Sequence, residues 1–440
     1  MNVNGSKVEL FQIPFQGKFI VYAPLKQIAF IANKALVSLI ASLMNHKKVE
    51  RRTAQAVKFI KKTGILEPDP EVQSYNPVDY KPVCAVLFLT NRCNLGCVYC
   101  YARSNESPAV EMNPEVAYKA IDVVAENAAE RNLDTFELSF HGGGEPTLNW
   151  DTLKKAVFYA RKKKLKVSVN ASSNGYLSLE KRSFICQNFD GLSLSFDGPP
   201  DVQNKQRPTL SGKDSFRVVM KTIEEFDKKS FPYGVRMTVT KDSASSLARM
   251  VSFVCQETGA KTIQVEPAFP RGRGEGKELT TKSMKKFVDQ FLEALNVAES
   301  NGRTFFYSGA RIDSISNRFC LASSEALVVS QRGEITTCFE THNTSYPMAE
   351  DFFIGSIGPD GLKIDLVKWK RIVNRTSDKI RYCHGCFCRW HCAGDCLSKT
   401  FSPSSEDNFI PSWRCIISQE ITKVLLLRKI SQSKGVWLGQ

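Results

Sequence analysis

Histidine is scarce, five in 440 residues, and no Ser-His-Asp pattern is legible among them, so a hydrolase built on that triad is not indicated. No long apolar run exists. The most hydrophobic stretch, Ile28 to Met44, is interrupted by Asn33 and Lys34, too short and too polar for a spanning helix. Residues Met1 to Glu9 lack a basic start, an apolar run and a small-residue cleavage site, so a cytosolic chain without a membrane span is expected. No internal repeat is present. What remains is a soluble globular composition, 42% hydrophobic, 10% aromatic and 24% charged, which argues against collagen, a disordered tail or a coiled coil.

Acidic residues are in deficit, 45 against 60 Lys plus Arg, leaving a net charge of +15. That surplus attracts anionic partners, nucleic acid or an acidic peptide among them. The densest basic run, Lys154 to Lys166, interleaves with Val157 and Phe158 in a helical pattern. It reads as a solvated helix face, and nucleic acid is not the expected partner.

Three segments are expected. Residues 1–80 hold strand-like runs at 10–15, 19–22 and 27–32, then helical patterns at 36–44 and 53–63, an order that suggests a winged-helix-like module or a capping subdomain. Prolines 68, 70, 77 and 82 punctuate a linker. From residue 81 to 305, apolar strands alternate with amphipathic helices, which calls for a parallel α/β sheet. Six strands are read, at 83–89, 135–140, 166–171, 191–196, 234–240 and 262–266, matching an open, partial (β/α)6 barrel with its chemistry at the C-terminal strand ends. Residues 306–440 read as a metal-organised domain closed by a helix near 415–430.

The fourteen cysteines carry the chemistry. In a reducing compartment they are not expected to form a disulfide framework, so metal ligation leads. Cys93, Cys97 and Cys100 follow the first strand as Cys-x3-Cys-x2-Cys. Three thiolates without a fourth leave one iron of a 4Fe-4S cluster open to a small chelating ligand. Zinc would call for a closed set of four, for which only Cys84 is near in sequence. A second group comprises Cys320, Cys338, Cys383, Cys386, Cys392, Cys396 and Cys415, with Cys388 as an extra thiol. Two zinc ribbons are the alternative there. Cys84, Cys186 and Cys255 lie in apolar stretches and read as small core residues.

The first run, with Tyr99 before its last cysteine, resembles the signature of the radical S-adenosylmethionine enzymes. The second strand ends in His141-Gly142-Gly143-Gly144-Glu145-Pro146, which resembles that family's Gly-Gly-Glu-Pro loop. Glycines let backbone approach a ligand, and Glu145 can oppose an ammonium. The resemblance implies S-adenosylmethionine contacts from Tyr99, Gly143, Gly144, Glu145, Pro146, Ser173, Asn174, Ser195, Asp197 and Arg207. Asn-Gly and Asp-Gly at 174–175 and 197–198 also suit ordinary turns. Arg236 could serve the cofactor's carboxylate or make a sheet salt bridge.

The second group resembles the seven-cysteine SPASM extension of peptide-modifying radical enzymes. That implies two auxiliary 4Fe-4S clusters, one on Cys383, Cys386, Cys392 and Cys415, the other on Cys320, Cys338 and Cys396 and one ligand short. Cys388, an open site or a substrate ligand could complete it. The N-terminal order is similar to a PqqD-like peptide-recognition element, which implies a precursor peptide whose leader adds as a strand. Eleven basic against six acidic residues in positions 1–80 suit an acidic leader.

The expectation is therefore an oxidoreductase with three clusters, fed by an external one-electron reductant such as flavodoxin or ferredoxin. It would use a 5′-deoxyadenosyl radical to form a thioether or carbon–carbon crosslink in a ribosomally made peptide. The runner-up is anaerobic sulfatase maturation, weakened because Phe339, followed by Glu340, stands where that activity has an aspartate. A basic zinc protein that binds nucleic acid is the reading from another class. It leaves the glycine-rich strand-end loop unexplained.

Overall fold

A computed structural model describes residues 2–3, 6–48, 50–72, 79–346 and 348–439. Pro77 of the expected linker lies outside the described residues. The chain divides into two compact units, one of Met1–Asn76, Gly309–Phe319 and Thr376–Gln440, the other of Pro77–Ser308 and Cys320–Arg375.

The chain starts with a short antiparallel pair, β1 (Asn2–Val3) and β2 (Ser6–Lys7), followed by a meander of β3 (Phe11–Phe15), β4 (Lys18–Ala23) and β5 (Ile28–Ala32). Helices α1 (Lys34–Met44) and α2 (Ala54–Thr63) come next. The Asn33 side chain accepts from Leu36 N at 2.9 Å, satisfying an otherwise orphaned donor of the first turn of α1. Val21, Ile28, Phe30, Ile40 and Ile60 bury together and hold strands and helices as one layer on another.

In the second unit, β6 (Cys84–Leu87), α3 (Pro114–Glu130), β7 (Thr135–Phe140), α4 (Trp150–Arg161), β8 (Lys166–Ser173), α5 (Leu179–Asn188) and β9 (Gly191–Ser195) begin a strand and helix alternation. It continues through α6 (Pro200–Gln206), α7 (Phe216–Lys228), β10 (Tyr233–Val239), α8 (Leu247–Glu257), β11 (Thr262–Pro267), α9 (Thr281–Ser300) and β12 (Thr304–Tyr307). Strands β6 to β12 are parallel and neighbours in chain order. The strand β12 is a seventh parallel member beyond the six read from the sequence.

On the far side of β6 the sheet continues with β13 (Ala326–Val329), parallel to β6, and then the antiparallel β14 (Glu334–Thr336), β15 (Phe353–Gly358) and β16 (Gly361–Ile364), eleven strands together. Short helices α10 (Ala349–Phe352) and α11 (Leu366–Val373) complete this unit.

Burial alternates along the parallel strands. In β8, Val167, Val169 and Ala171 are buried while Ser168, Asn170 and Ser172 are half-buried; in β10, Val235, Met237 and Val239 are buried while Gly234, Arg236 and Thr238 are not. One face is thus a dry core, with α4 packed on β8 and α3 on β7. The other face is polar, which is unusual for a parallel sheet and marks a surface that serves something besides packing.

The rest of the first unit holds α12 (Arg389–Cys392), α13 (Leu397–Thr400), α14 (Trp413–Gln432) and β17 (Val436–Leu438). The last of these pairs antiparallel with β5, giving a four-stranded sheet of order β17-β5-β4-β3. Among the described residues no helix is long and apolar enough to cross a membrane.

Candidate active site

The loop after β6 carries Cys93, Cys97 and Cys100 and is tied down from several sides. Asn105 clamps Cys93, accepting from its N–H and donating to its C=O, both at 3.0 Å. Gly96 N donates to Pro208 O at 2.7 Å and Val98 N to Gln206 O at 2.9 Å. Arg273, in the loop after β11, donates from Nε to Cys97 O and from its backbone to Cys100 O, each at 3.0 Å. A backbone held this firmly presents its thiols without reorganisation.

The three cysteines are half-buried and their thiols feel one another. Burial, reinforced by the neighbouring Cys97 sulfur, pushes Cys93 up to about 12, and burial pushes Cys97 up to about 11. Without a cation these sulfurs stay protonated; a bound metal cluster would ionise them. None of the fourteen cysteines is in a disulfide. Among the described residues no three His, Cys, Asp or Glu side chains converge to grip a single ion. The donor set, three free thiols on one braced loop, fits the wider span of an iron–sulfur cluster rather than the roughly 2.3 Å bonds of one tetrahedral zinc.

The glycine-rich loop after β7 lies directly against this one. Glu145 N donates to Arg92 O at 2.8 Å. A Cβ on Gly144 would stand 2.0 Å from that same Arg92 O, so no other residue fits. Gly143, at φ +73°, donates no side chain and turns its carbonyl to Ser104 Oγ at 2.6 Å. Ser104 Oγ in turn sits 3.6 Å from Cys100 Sγ.

The Glu145 carboxylate, 2% exposed, gathers the next strand end. It accepts from Thr147 Oγ1 at 2.9 Å, Ser173 Oγ at 3.0 Å and Asn174 N at 2.8 Å. Burial raises its pKa while these donors oppose the shift. Asn174 then donates from Nδ2 to Cys93 Sγ at 3.5 Å and to Asn94 Oδ1 at 2.7 Å. The structure therefore joins Gly143, Gly144, Glu145, Ser173 and Asn174 to the cysteine loop. Pro146 opens the single turn that follows.

Tyr99, Asp197 and Arg207 form a second network. Asp197 is fully buried and accepts from the Tyr99 hydroxyl, from Gln206 Nε2 at 2.8 Å, Arg207 Nε at 3.0 Å and Thr238 N at 2.9 Å. The Arg207 guanidinium lies 5.2 Å from the Tyr99 ring centroid. These groups satisfy one another and brace the loop between Cys97 and Cys100.

Arg236 is different. Its side chain is half-buried on the polar face of β10, level with Ser195 of β9 and Gln264 of β11, and it makes no hydrogen bond or ion pair among the described residues.

Several groups here were not among the cofactor contacts expected from the sequence. His141, at the end of β7, has a buried Nδ1 without a hydrogen-bond partner and is pushed down to about 4 by burial, with Arg236 adding to the effect. Gln331 Nε2 is likewise buried without a partner. Tyr101, next to Cys100, reaches Phe339 O at 3.5 Å, and the carboxylate of Glu340 lies 3.3 Å from Tyr346 Oη and 4.0 Å from Arg271. His141 opens the glycine-rich motif and Phe339 and Glu340 follow Cys338, which marks their places, whereas Gln331, Tyr346 and Arg271 carry no such signal.

The remaining cysteines fall in both units. Cys320 and Cys338 belong to the second, where Cys320 packs with Val86, Phe88 and Phe339. In the first, Cys383 and Cys415 share a small apolar cluster with Ile380 and Phe409. Cys392 is held up by burial and by the nearby Asp395, Cys415, Cys386 and Cys383. Cys386 is pushed down to about 6, chiefly by a hydrogen bond from Cys388, and accepts from Gln419 Nε2 at 3.6 Å. The extra thiol Cys388 thus sits beside Cys386. Cys396 is in the first unit as well.

Residues 87–254 match the Radical SAM superfamily. The resemblance is to a radical SAM domain. Its relatives include the cysteine-type anaerobic sulfatase-maturating enzyme of Clostridium perfringens, 28% identical over 46% of this chain and 56% of that one. Another is the sporulation killing factor maturation protein SkfB of Bacillus subtilis, 25% identical over 59% and 60% of the two chains. The chain spans little more than half the length of these two relatives. The structure of Streptococcus suis SuiB bound to precursor peptide SuiA superposes with a TM-score of 0.53 at 13% identity, covering 93% of this chain and 99% of that one, and shares the fold.

Proposed function

We propose that this radical SAM enzyme oxidatively modifies a ribosomally made precursor peptide, forming a thioether or carbon–carbon crosslink. The observation that carries the reading is the junction of Cys93, Cys97 and Cys100 with Glu145 and Asn174 at adjacent strand ends. A 4Fe-4S cluster on those three thiols would supply the electron that splits S-adenosylmethionine.

The protein's part is orientation. The amide of Asn174 donates to the Cys93 sulfur, which favours its ionised form and tunes its donor strength. The Gly143–Gly144 backbone leaves room for a ligand to lie close to the cysteine loop. Glu145 holds Ser173 and Asn174 in place and offers negative charge to an ammonium. The braced Tyr99–Asp197–Arg207 network forms a rigid wall, while Arg236, with no counter-ion among the described residues, is suited to the cofactor's carboxylate beside Ser195.

Cys383, Cys386, Cys392 and Cys415, all of the first unit, would hold one auxiliary 4Fe-4S cluster, and Cys320 and Cys338 would contribute to another. The peptide reading draws support from the named relatives and from the basic N-terminal module, which would receive the leader. An external flavodoxin or ferredoxin would supply electrons. Sulfatase maturation is less well supported, because Phe339 replaces the expected aspartate and the Glu340 carboxylate is engaged with Tyr346 and Arg271.

Anaerobic reconstitution tests the reading. Three cubanes require about 12 irons per chain, and dithionite should produce 5′-deoxyadenosine from S-adenosylmethionine. Replacing Cys93, Cys97 and Cys100 by alanine should abolish that product. A co-expressed precursor peptide should lose two hydrogens in mass; stoichiometric zinc without iron would overturn the proposal.

A further inference from the structure

Without β17, the meander of β3, β4 and β5 has two edges, and the chain treats them differently. The β3 edge carries Pro14, which lacks a backbone donor and so blunts strand addition. The β5 edge has no such block and is occupied by the chain's own β17. Their antiparallel register is Val436 to Phe30, Trp437 to Ala29 and Leu438 to Ile28.

Three residues make a short ladder, so the attachment rests mainly on one side chain. Trp437 is 5% exposed and packs among Ile13, Ile20, Tyr22, Ala29, Leu426 and Ile430. Its ring lies 6.4 Å from that of Tyr22 at an interplanar angle of 19°, and Lys429 Nζ stands 5.7 Å from its centroid. The flanking Leu438 points largely to solvent, 56% exposed. Alternation of this kind, main-chain pairing plus one inward pocket, is how extended peptides are recognised when they add to a sheet. An aromatic ring contributes the largest buried area per residue for such an anchor.

We propose that the outer edge of β5 is a peptide-docking edge and that β17 is its resident occupant. The ligand class follows from the occupant: an extended peptide with an inward aromatic residue between two aliphatic ones, as in Val-Trp-Leu. This rests on the reading that the N-terminal sheet receives a peptide, and adds that an incoming peptide and β17 exclude each other. If β17 is docked in about 90% of molecules, the apparent affinity for a competing peptide falls about tenfold.

The test uses the full chain, intact and with Val436→Ser, Trp437→Gly and Leu438→Ser together. The probe is a fluorescein-labelled peptide of sequence Lys-Gly-Val-Trp-Leu-Gly, with a Trp-to-Ala copy as control. The variant should bind the probe saturably, the intact chain about tenfold or more weakly, and the control peptide should bind neither. Equal affinity for intact and variant chains would overturn the proposal, as would no binding to a variant whose circular dichroism and melting match the intact chain. Should the triple variant not fold, Trp437→Ala in the full chain should speed hydrogen exchange of the Ile28–Ala32 amides over those of β4, and unchanged exchange would overturn it. Peptide-independent formation of 5′-deoxyadenosine reports the cofactor site separately, so either reading can fail alone.

Discussion

Gly144→Ala probes the contact on which the site depends. The added methyl would meet Arg92 O at 2.0 Å, Arg92 C at 2.7 Å and Arg92 N at 2.8 Å. All three are backbone atoms of the residue before Cys93, so no side chain can swing away. Relief requires the two loops to part by more than an ångström, breaking the 2.8 Å bond from Glu145 N to Arg92 O. Overpacking of this size costs about 1–3 kcal/mol. For a unit of this size that is a fall in melting temperature of roughly 4–8 °C at the middle of the range. Gly212→Ala is the control: unlike Gly144 it has a positive φ, +76°, but nothing lies within 4 Å of the added methyl, so only backbone strain of roughly 1–2 kcal/mol is expected. The assay is thermal melting together with iron per chain after anaerobic reconstitution. Gly144→Ala should lose the iron held by Cys93, Cys97 and Cys100, and Gly212→Ala should keep it. A Gly144→Ala protein with full iron content and an unchanged melt would refute the claim that the glycine loop sets the position of Cys93.

Arg207→Ala leaves the fully buried Asp197 carboxylate without its ion partner, and should destabilise the second unit by about 3–5 kcal/mol in urea titrations; a loss within about 0.5 kcal/mol would contradict the buried network. His141 titrates near 4 in the folded chain because burial disfavours its charged form. Unfolded, it takes up a proton near its ordinary value of about 6.5. Between those values the unfolded state binds more protons, so stability is full above pH 6.5 and declines by up to about 3 kcal/mol as pH falls to 4. His141→Phe should flatten that part of a pH series of chemical melts, and an unchanged slope would show that His141 is not the group responsible.

Much of the site was legible because its chemistry is local in sequence. Cys93, Cys97 and Cys100 sit within one loop, and Glu145, Asn174 and Asp197 follow apolar strand runs whose hydrophobic patterning places their ends. The cysteine spacing is legible by itself, whereas Glu145, Asn174 and Asp197 were marked by the family resemblance, since Asn-Gly and Asp-Gly suit ordinary turns as well. The partners of these residues were less accessible. Arg273 and Tyr101 belong to no motif, and whether Arg207 or Arg236 keeps a free guanidinium depends on which carboxylate each one meets. The seventh strand, β12, is four residues long and follows a twenty-residue helix, too brief a run to stand out by period.

From the amino-acid order alone came the parallel strand and helix alternation, the cysteine spacings and the basic N-terminal module, because each is written in neighbouring residues. The tertiary structure decided that Val436–Leu438 completes the sheet begun at Phe11–Phe15, and that residues 376–440 share a unit with the first strands. It also decided that Asp197 consumes Arg207 while Arg236 makes no ion pair among the described residues. Pairings over such separations are selected by the burial of side chains such as Trp437 and by the cost of leaving a charge unpaired in a dry interior, and neither is a property of a local stretch of chain.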